Sequence, residues 1–322
     1  MAVETNTNVT FATIGIREDL SNTIYLVSPE ETPLQSNIGQ TKATATFHEW
    51  QTHILASAVD TNAVLEGGDS TIDAATRTVR VGNRTQISDK TASVSGTNEA
   101  VDQAGRSDEM AFQLVTKGKE LKRDIEKQML SNKASVAGSL TLARQSAGFL
   151  AWLTTNTSRG ATGSDGGFSA GVVSAATNGT LRNFTETLLK AMHESAFSAG
   201  GKPTMLFMDG PLKQTFSGFA GIAANRVDQS VDANKMGSII GAADVYVGDF
   251  GTLTAVPHPY GMTARDVLGI DPTMVAKSIL RPMASMQLAK NGDADRRLIN
   301  EEYTLEMKNE AAHFVVADVQ TV

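Results

Sequence analysis

Between Ser107 and Ser131 the apolar residues Met110 or Ala111, Leu114, Val115, Gly118, Leu121, Ile125 and Met129 recur at steps of three and four. That is the period of one buried face of an α-helix, and it is the most regular pattern in the chain. Ser107-Asp108 supplies a starting cap, and at 1.5 Å per residue the helix predicted to run to about Ser131 is roughly 37 Å long. The opposite face carries Lys117, Lys119, Glu120, Lys122, Arg123, Asp124, Glu126 and Lys127. Pairs at Lys122/Glu126 and Arg123/Glu126 are expected to brace it by a few tenths of a kcal/mol each. Five bases against three acids leave this face slightly positive, but the interleaved acids favour a solvated amphipathic face over a nucleic-acid surface.

The segment ahead of that helix behaves differently. Thr32 to Thr52 reads as a prolyl turn, a break at Gly39 and a strand in which Ala43, Ala45 and Phe47 share one side while Lys42, Thr44, Thr46 and His48 share the other. Small and acidic residues follow, with a turn at Gly67-Gly68-Asp69, and then a second extended run at Thr76–Val81. The pair predicts a two-stranded excursion from Thr41 to about Val94. A two-stranded ribbon is marginal alone in water, so this one is expected to lie on another chain. Trp50 beside Glu49 reads as an interface anchor. Residues 1 to about 38 lack a sustained period. Their scattered Phe11, Ile14, Ile16, Leu20 and Ile24–Val27 suit an arm that docks on another surface.

Composition bounds the rest. The 322 residues are 41% hydrophobic, enough for a real core, and the 28 glycines with abundant Ser, Thr and Ala suit sheets, arms and loops. A net charge of −7 disfavours nucleic-acid binding by the chain as a whole. With no cysteine, disulfides and thiolate chemistry are excluded. No apolar run approaches the length of a membrane span and the start lacks a secretory pattern, so a soluble protein made in the cytoplasm is expected.

After the long helix, Asn98-Glu99 having opened a shorter one before Gly105, residues Lys133–Thr180 read as a long exposed loop around an apolar anchor, Phe149–Leu153. Then come a helix from Asn183 to about Ala199, a buried strand Thr204–Met208, a turn at Asp209-Gly210-Pro211 and a short helix to Phe219. A hairpin of Val245–Val247 with Leu253–Val256 and closing strands at Ile270–Leu288 and Glu302–Lys308 complete the chain. Without a repeating βαβ unit, the fold class is α+β.

The search for chemistry returns little. His48 and His53 fall on opposite strand faces and the other three histidines are isolated, which gives no metal-ligand spacing. There is no G-x-S-x-G elbow, Gly200-Gly201-Lys202-Pro203 cannot cradle a phosphate, and Asn291–Asp295 lacks the spacing of a calcium loop. No catalytic residue, metal or cofactor is expected. A hydrolase would have to draw on His193, His258 or His313.

The order of YLVSPEETPLQSNIG, FHEWQT, AFQLVTKGKELKRDIEKQMLSN, ADVYVGDFGTLTAVPHPYG and LRPMASMQLAKNGDADRRLINEEYTLEMKNEAAH resembles the major capsid proteins of tailed bacteriophages with the Hong Kong 97 fold, the SU10-like family. The blocks span almost the whole chain. The resemblance implies an N-terminal arm at residues 1–38, an extended loop at 39–95 and a peripheral domain with its spine helix at 96–150. It further implies an axial domain at 151–265, opening on a variable loop, and C-terminal strands at 266–322 returning to the peripheral domain. It implies self-assembly as hexamers and pentamers into an icosahedral head around double-stranded DNA, a portal protein at one vertex, and scaffolding or decoration proteins as further partners. Subunit contacts are expected at Phe47, Glu49, Trp50, Arg77, Arg80, Lys122 and Arg123, with the glycine-rich Arg159–Gly167 loop a candidate decoration contact.

Two departures qualify this picture. The type member cross-links a loop lysine to a neighbour's asparagine, but residues 51–89 contain no lysine, so no cross-link is expected. The loop also begins about forty residues in, which implies separate scaffolding or none. A phage tail or decoration protein is the alternative within the structural class; it would share the polar strands but would not need the spine helix.

Overall fold

The computed structural model describes residues 24, 26, 28–69, 72–219, 244–290 and 292–321. Most of the predicted arm lies outside the described residues. Along the chain come α1 (Pro33–Asn37), β1 (Gly39–Lys42), β2 (Phe47–Thr52), β3 (Val79–Arg84), β4 (Gln86–Ser95), α2 (Gly96–Ala100), α3 (Glu109–Leu130) and α4 (Phe149–Trp152). Short strands β5 (Thr157–Ser158), β6 (Gly167–Ser169), β7 (Val172–Ser174) and β8 (Arg182–Asn183) lead to α5 (Glu186–Ser198), β9 (Met205–Met208) and α6 (Gly210–Ser217). The chain closes with β10 (Val245–Gly248), β11 (Gly251–Pro257), β12 (Val267–Ile270), β13 (Val275–Gln287), β14 (Ala294–Met307), β15 (Phe314–Val316) and β16 (Val319–Gln320).

Two sheets organise these elements. The four-stranded sheet runs β1-β13-β14-β4, built on the long antiparallel β13–β14 hairpin. Its register slips between Ile279 and Ala284, around Pro282. Proline lacks the amide hydrogen that a ladder needs, so the strand bulges and bends there. The six-stranded sheet runs β10-β11-β9-β12-β15-β5. Central β9 is Met-Leu-Phe-Met, and its last three side chains are fully buried, as expected of a strand covered on both faces. Within residues 266–322, β13 and β14 belong to the first sheet, while β12 and β15 lie in the second.

The long helix forms where its period predicts, with the Asp108 carboxylate accepting from the Ala111 amide at 2.7 Å. Leu121, Ile125, Met129 and Leu130 enter a core shared with α4, β12 and β14. The shorter helix ahead of it starts earlier than expected, because the Ser95 hydroxyl rather than Asn98 accepts the capping bond, from the Asn98 amide at 3.3 Å.

Two further expectations change. Thr41–Trp50 is not one strand: β1 pairs in parallel with β13, the chain turns through residues 43–46, and β2 pairs with β3 instead. The ribbon is thus only 47–52 against 79–84, and the second run begins at Val79, not Thr76. β4 belongs to the main sheet along Ser95–Gln86. Nor is Lys133–Thr180 an exposed loop throughout. Phe149, Ala151, Leu153 and Val173 are fully buried, and the Trp152 ring stacks on Phe168 at 5.7 Å. Most of its glycines are packing residues; a Cβ on Gly160 would lie 2.0 Å from the Thr180 carbonyl oxygen. Arg159, expected in a free surface loop, is mostly buried and pairs with Asp165 at 2.5 Å, while Ala161 and Thr162 remain exposed.

Candidate functional site

Two surfaces engage chain that lies outside the two sheets, and they do so differently. The first is a track along α3. Lys119 Nζ meets Glu30 at 2.5 Å, the Lys122 carbonyl accepts from the Gln35 side chain at 2.9 Å, and Arg123 lies over the Tyr260 ring at 4.8 Å. One turn on, Glu126 accepts from the Leu34 amide at 2.6 Å and from the Gln35 amide at 3.0 Å. Positions 119, 122, 123 and 126 follow the three-and-four spacing of a single helix face, so the charged stripe is the seat on which residues 30–35 lie. The Tyr260 hydroxyl donates to the Glu31 carbonyl and closes the track from the other side. Burial, with the Glu126 carboxylate nearby, pushes that phenol up to about 12, which keeps it a donor at neutral pH.

Glu126 corrects a sequence expectation. It does not brace Lys122 or Arg123 on an exposed face; it is fully buried, with Oε1 also 3.3 Å from His258 Nε2. His258 Nδ1 accepts from the Gly261 amide at 2.8 Å, so the ring proton sits on Nε2 and points at the carboxylate. The other two candidate histidines are also buried. His313 Nδ1 accepts from the Asp271 amide at 3.0 Å beside Phe149, and His193 lies among Phe250 and Phe314. Burial lowers both, His313 to about 4. Each is a core histidine rather than a base aimed at a hydroxyl. Among the described residues no cluster of His, Asp and Glu could hold a metal ion.

The second surface is the ribbon and the loop it carries. Its base is fastened to its own body. Trp50 Nε1 donates to the Met307 carbonyl at 2.8 Å and its ring lies 5.6 Å from Trp152. Buried Asn83 donates to the Leu305 carbonyl at 2.9 Å and accepts from the Ala147 amide at 3.0 Å. Glu306 accepts from Thr41 at 2.5 Å, from Ser278 at 2.7 Å and from His48 at 3.3 Å. The His48 bond, with the hydroxyl donors, holds its carboxyl down to about 2. Phe47 lies under the Arg84 guanidinium at 4.2 Å, and Glu49 pairs with Arg80 at 3.0 Å on the open face.

Beyond the base, described residues 53–69 and 72–78 form no helix or strand, and Ile54, Leu55, Val59, Val64, Leu65 and Ile72 are each at least 69% exposed. Arg77 stands exposed on the returning limb. Of the expected contact residues, the structure thus gathers Phe47, Glu49, Trp50 and Arg80 on the ribbon and Lys122 with Arg123 on the arm track. The loop aliphatics and Glu126 were missed. Four of those aliphatics form the adjacent pairs Ile54-Leu55 and Val64-Leu65, a visible signal in an otherwise polar stretch.

A long helix, a bent β-hairpin, a six-stranded sheet and a projecting ribbon define the class of Hong Kong 97-like shell proteins. The chain is similar in fold to a chain of the Cyanophage A-1(L) capsid asymmetric unit, with a TM-score of 0.65 and 11% identity over 95% of this chain and 98% of that one. It is likewise similar to a structure from Gordonia phage Cozz, with a TM-score of 0.60 and 11% identity over 95% and 92%. The sequence matches the SU10 major capsid protein family over residues 3–320, and the chain belongs to that family. It is also 39% identical to a major capsid protein of Escherichia phage Phieco32 over 120 residues, a match that takes in 37% of this chain and 34% of that protein's length. The family is one of structural capsid proteins rather than enzymes.

Proposed function

We propose that the chain is the repeating subunit of an icosahedral phage head, assembling as hexamers and pentamers around double-stranded DNA. Residues 1–38 act as the inter-subunit arm and the ribbon with residues 53–78 as the extended loop. α3 with the four-stranded sheet forms the peripheral domain, and the six-stranded sheet with α5 and α6 the axial domain. A portal protein occupies one vertex, and the shell closes in the host cytoplasm. Phe47, Glu49, Arg77 and Arg80 flank the contact made by the loop, Trp50 fixes its base, and Lys122 and Arg123 belong to the seat of the arm. With no lysine between residues 51 and 89, the loop holds its neighbour without a covalent bond.

The observation that carries this reading is the exposed aliphatic loop. Six large apolar side chains on one projection are a surface that a soluble monomer avoids, and burying each on a neighbour would contribute roughly 1.5–3 kcal/mol. The test is a Leu55→Asp/Leu65→Asp chain expressed beside the parent and viewed in negative stain. Closed particles from the parent, with folded but unassembled variant subunits, are expected. Normal particles from the double variant would remove the loop from the assembly contact.

A further inference from the structure

We infer that Glu126 sets the direction in which the N-terminal arm leaves the body, acting through a partly buried polar relay that passes through Gln35; this rests on the arm reading given above. The relay starts in the four-stranded sheet, where Lys277 Nζ pairs with Glu301 at 2.7 Å, both nearly fully buried. The same ammonium donates to Gln35 Oε1 at 3.2 Å, and Gln35 Nε2 donates onward to Glu126 Oε2 at 3.1 Å. Glu126 then meets His258 at 3.3 Å. One neutral side chain, at the end of the arm, therefore joins two buried charged centres.

The donor set of Glu126 is what gives this arrangement a directing role. Its carboxylate takes four N–H donors: the amides of Leu34 and Gln35, the Gln35 carboxamide and the His258 ring. Three of these four come from residues 34 and 35. Among the described residues no lysine or arginine pairs with it. A buried carboxylate without its donors is strongly disfavoured, so an exit angle that withdraws residues 34 and 35 removes most of what holds the charge. The fourth donor is itself fixed, because the Gly261 amide holds the far side of His258 and a Cβ at Gly261 would lie 2.5 Å from that ring. The carboxylate thus has a rigid post on one side and the arm on the other. Lys119 on Glu30 and Tyr260 on Glu31 extend the same track toward the arm.

The experiment compares hydrogen exchange and particle formation for the full chain, for Glu126→Gln, which keeps the shape but turns an acceptor into a donor, and for a chain lacking residues 2–30. For Glu126→Gln, exchange across residues 33–38 is expected to rise about tenfold in the free subunit while residues 112–125 of α3 keep their protection, and closed particles should fall by a similar factor. If the deletion leaves assembly untouched, the arm reading itself fails. If the deletion abolishes particles while Glu126→Gln exchanges and assembles like the parent, the directing role of Glu126 is overturned. Should Glu126→Gln not fold, Gln35→Leu decides the matter: it cuts the relay but spares the two backbone bonds. Roughly threefold faster exchange at 33–38 is then expected, and parental exchange with parental particles would overturn the inference.

Discussion

Residues 30–35, which lead into α1, and the loop beyond the ribbon both lie outside the two sheets, yet one is saturated with contacts from its own subunit and the other has almost none. Residues 30–35 are held by Lys119, Glu126, Tyr260 and Lys277, at sequence separations that reach 242. Residues 53–78 present aliphatic side chains to solvent. Polar contacts in the first case fix a direction, because hydrogen bonds are directional. Apolar groups exposed in the second supply a driving force with little directional demand, which waits for a second surface. The ribbon base between them, pinned by Trp50, Asn83 and Glu306, points the undirected element.

The largest effect that would break this contrast is in the body. Phe149→Ala should destabilise the subunit by roughly 3–5 kcal/mol, whereas Leu65→Ala on the loop should change its unfolding midpoint by less than about 0.5 kcal/mol equivalent. Chemical denaturation of unassembled subunits measures both, and a similar cost at the two sites would mean the loop is packed in the free chain.

Acid should weaken the body next. Folded His313 stays unprotonated down to about 4, while in the unfolded chain it takes a proton near 6.5, so acidification through that window favours the unfolded state by roughly 3 kcal/mol. Glu306 adds a second loss at lower pH, since its folded value near 2 lies below the unfolded 4.5; its stabilisation is present above 4.5 and disappears as pH falls toward 2. His313→Gln should remove most of the loss in the first window, leaving the share that belongs to His193, and should leave the second unchanged. A profile that is level between 6.5 and 4 in the parent would contradict the assignment.

Trp50→Ala, which removes one hydrogen bond and a half-buried ring at the ribbon base, should cost about 2 kcal/mol and raise exchange in β2 and β3 without unfolding the sheets. The smallest effect belongs to the Glu49–Arg80 pair on the open face. Reversing it as Glu49→Arg/Arg80→Glu should alter subunit stability by less than about 1 kcal/mol, so any larger change in particle yield would locate that pair at a contact between subunits.

Much of the fold was legible because it rests on periodicity. The α3 stripe, the Met205–Met208 strand and the hairpin of β10 with β11 all formed where alternation or helical spacing placed them. The break at residues 43–46 was hidden because the alternation continues through it while the partner strand changes. The 133–180 segment misled because its glycines and small residues mark close packing as readily as exposure. Glu126 looked like a brace because Lys122 lies four residues before it, and its real partners are 91 and 92 residues away. A helical wheel extended to Leu130, which is fully buried, would have placed Glu126 between Met129 and Leu130, inside the apolar sector. Long-range polar partners leave no local pattern, and the candidate site was the least readable part for that reason.

Hydroxyl-radical footprinting of free subunits and of purified particles tests the contrast directly, by following Leu55, Leu65 and Ile72 on the loop beside Leu34 at the arm seat. The three loop residues should label strongly in the free subunit and be protected in particles, with Leu34 protected in both. Loop labelling that is unchanged on assembly, or already suppressed in the free subunit, would contradict the account.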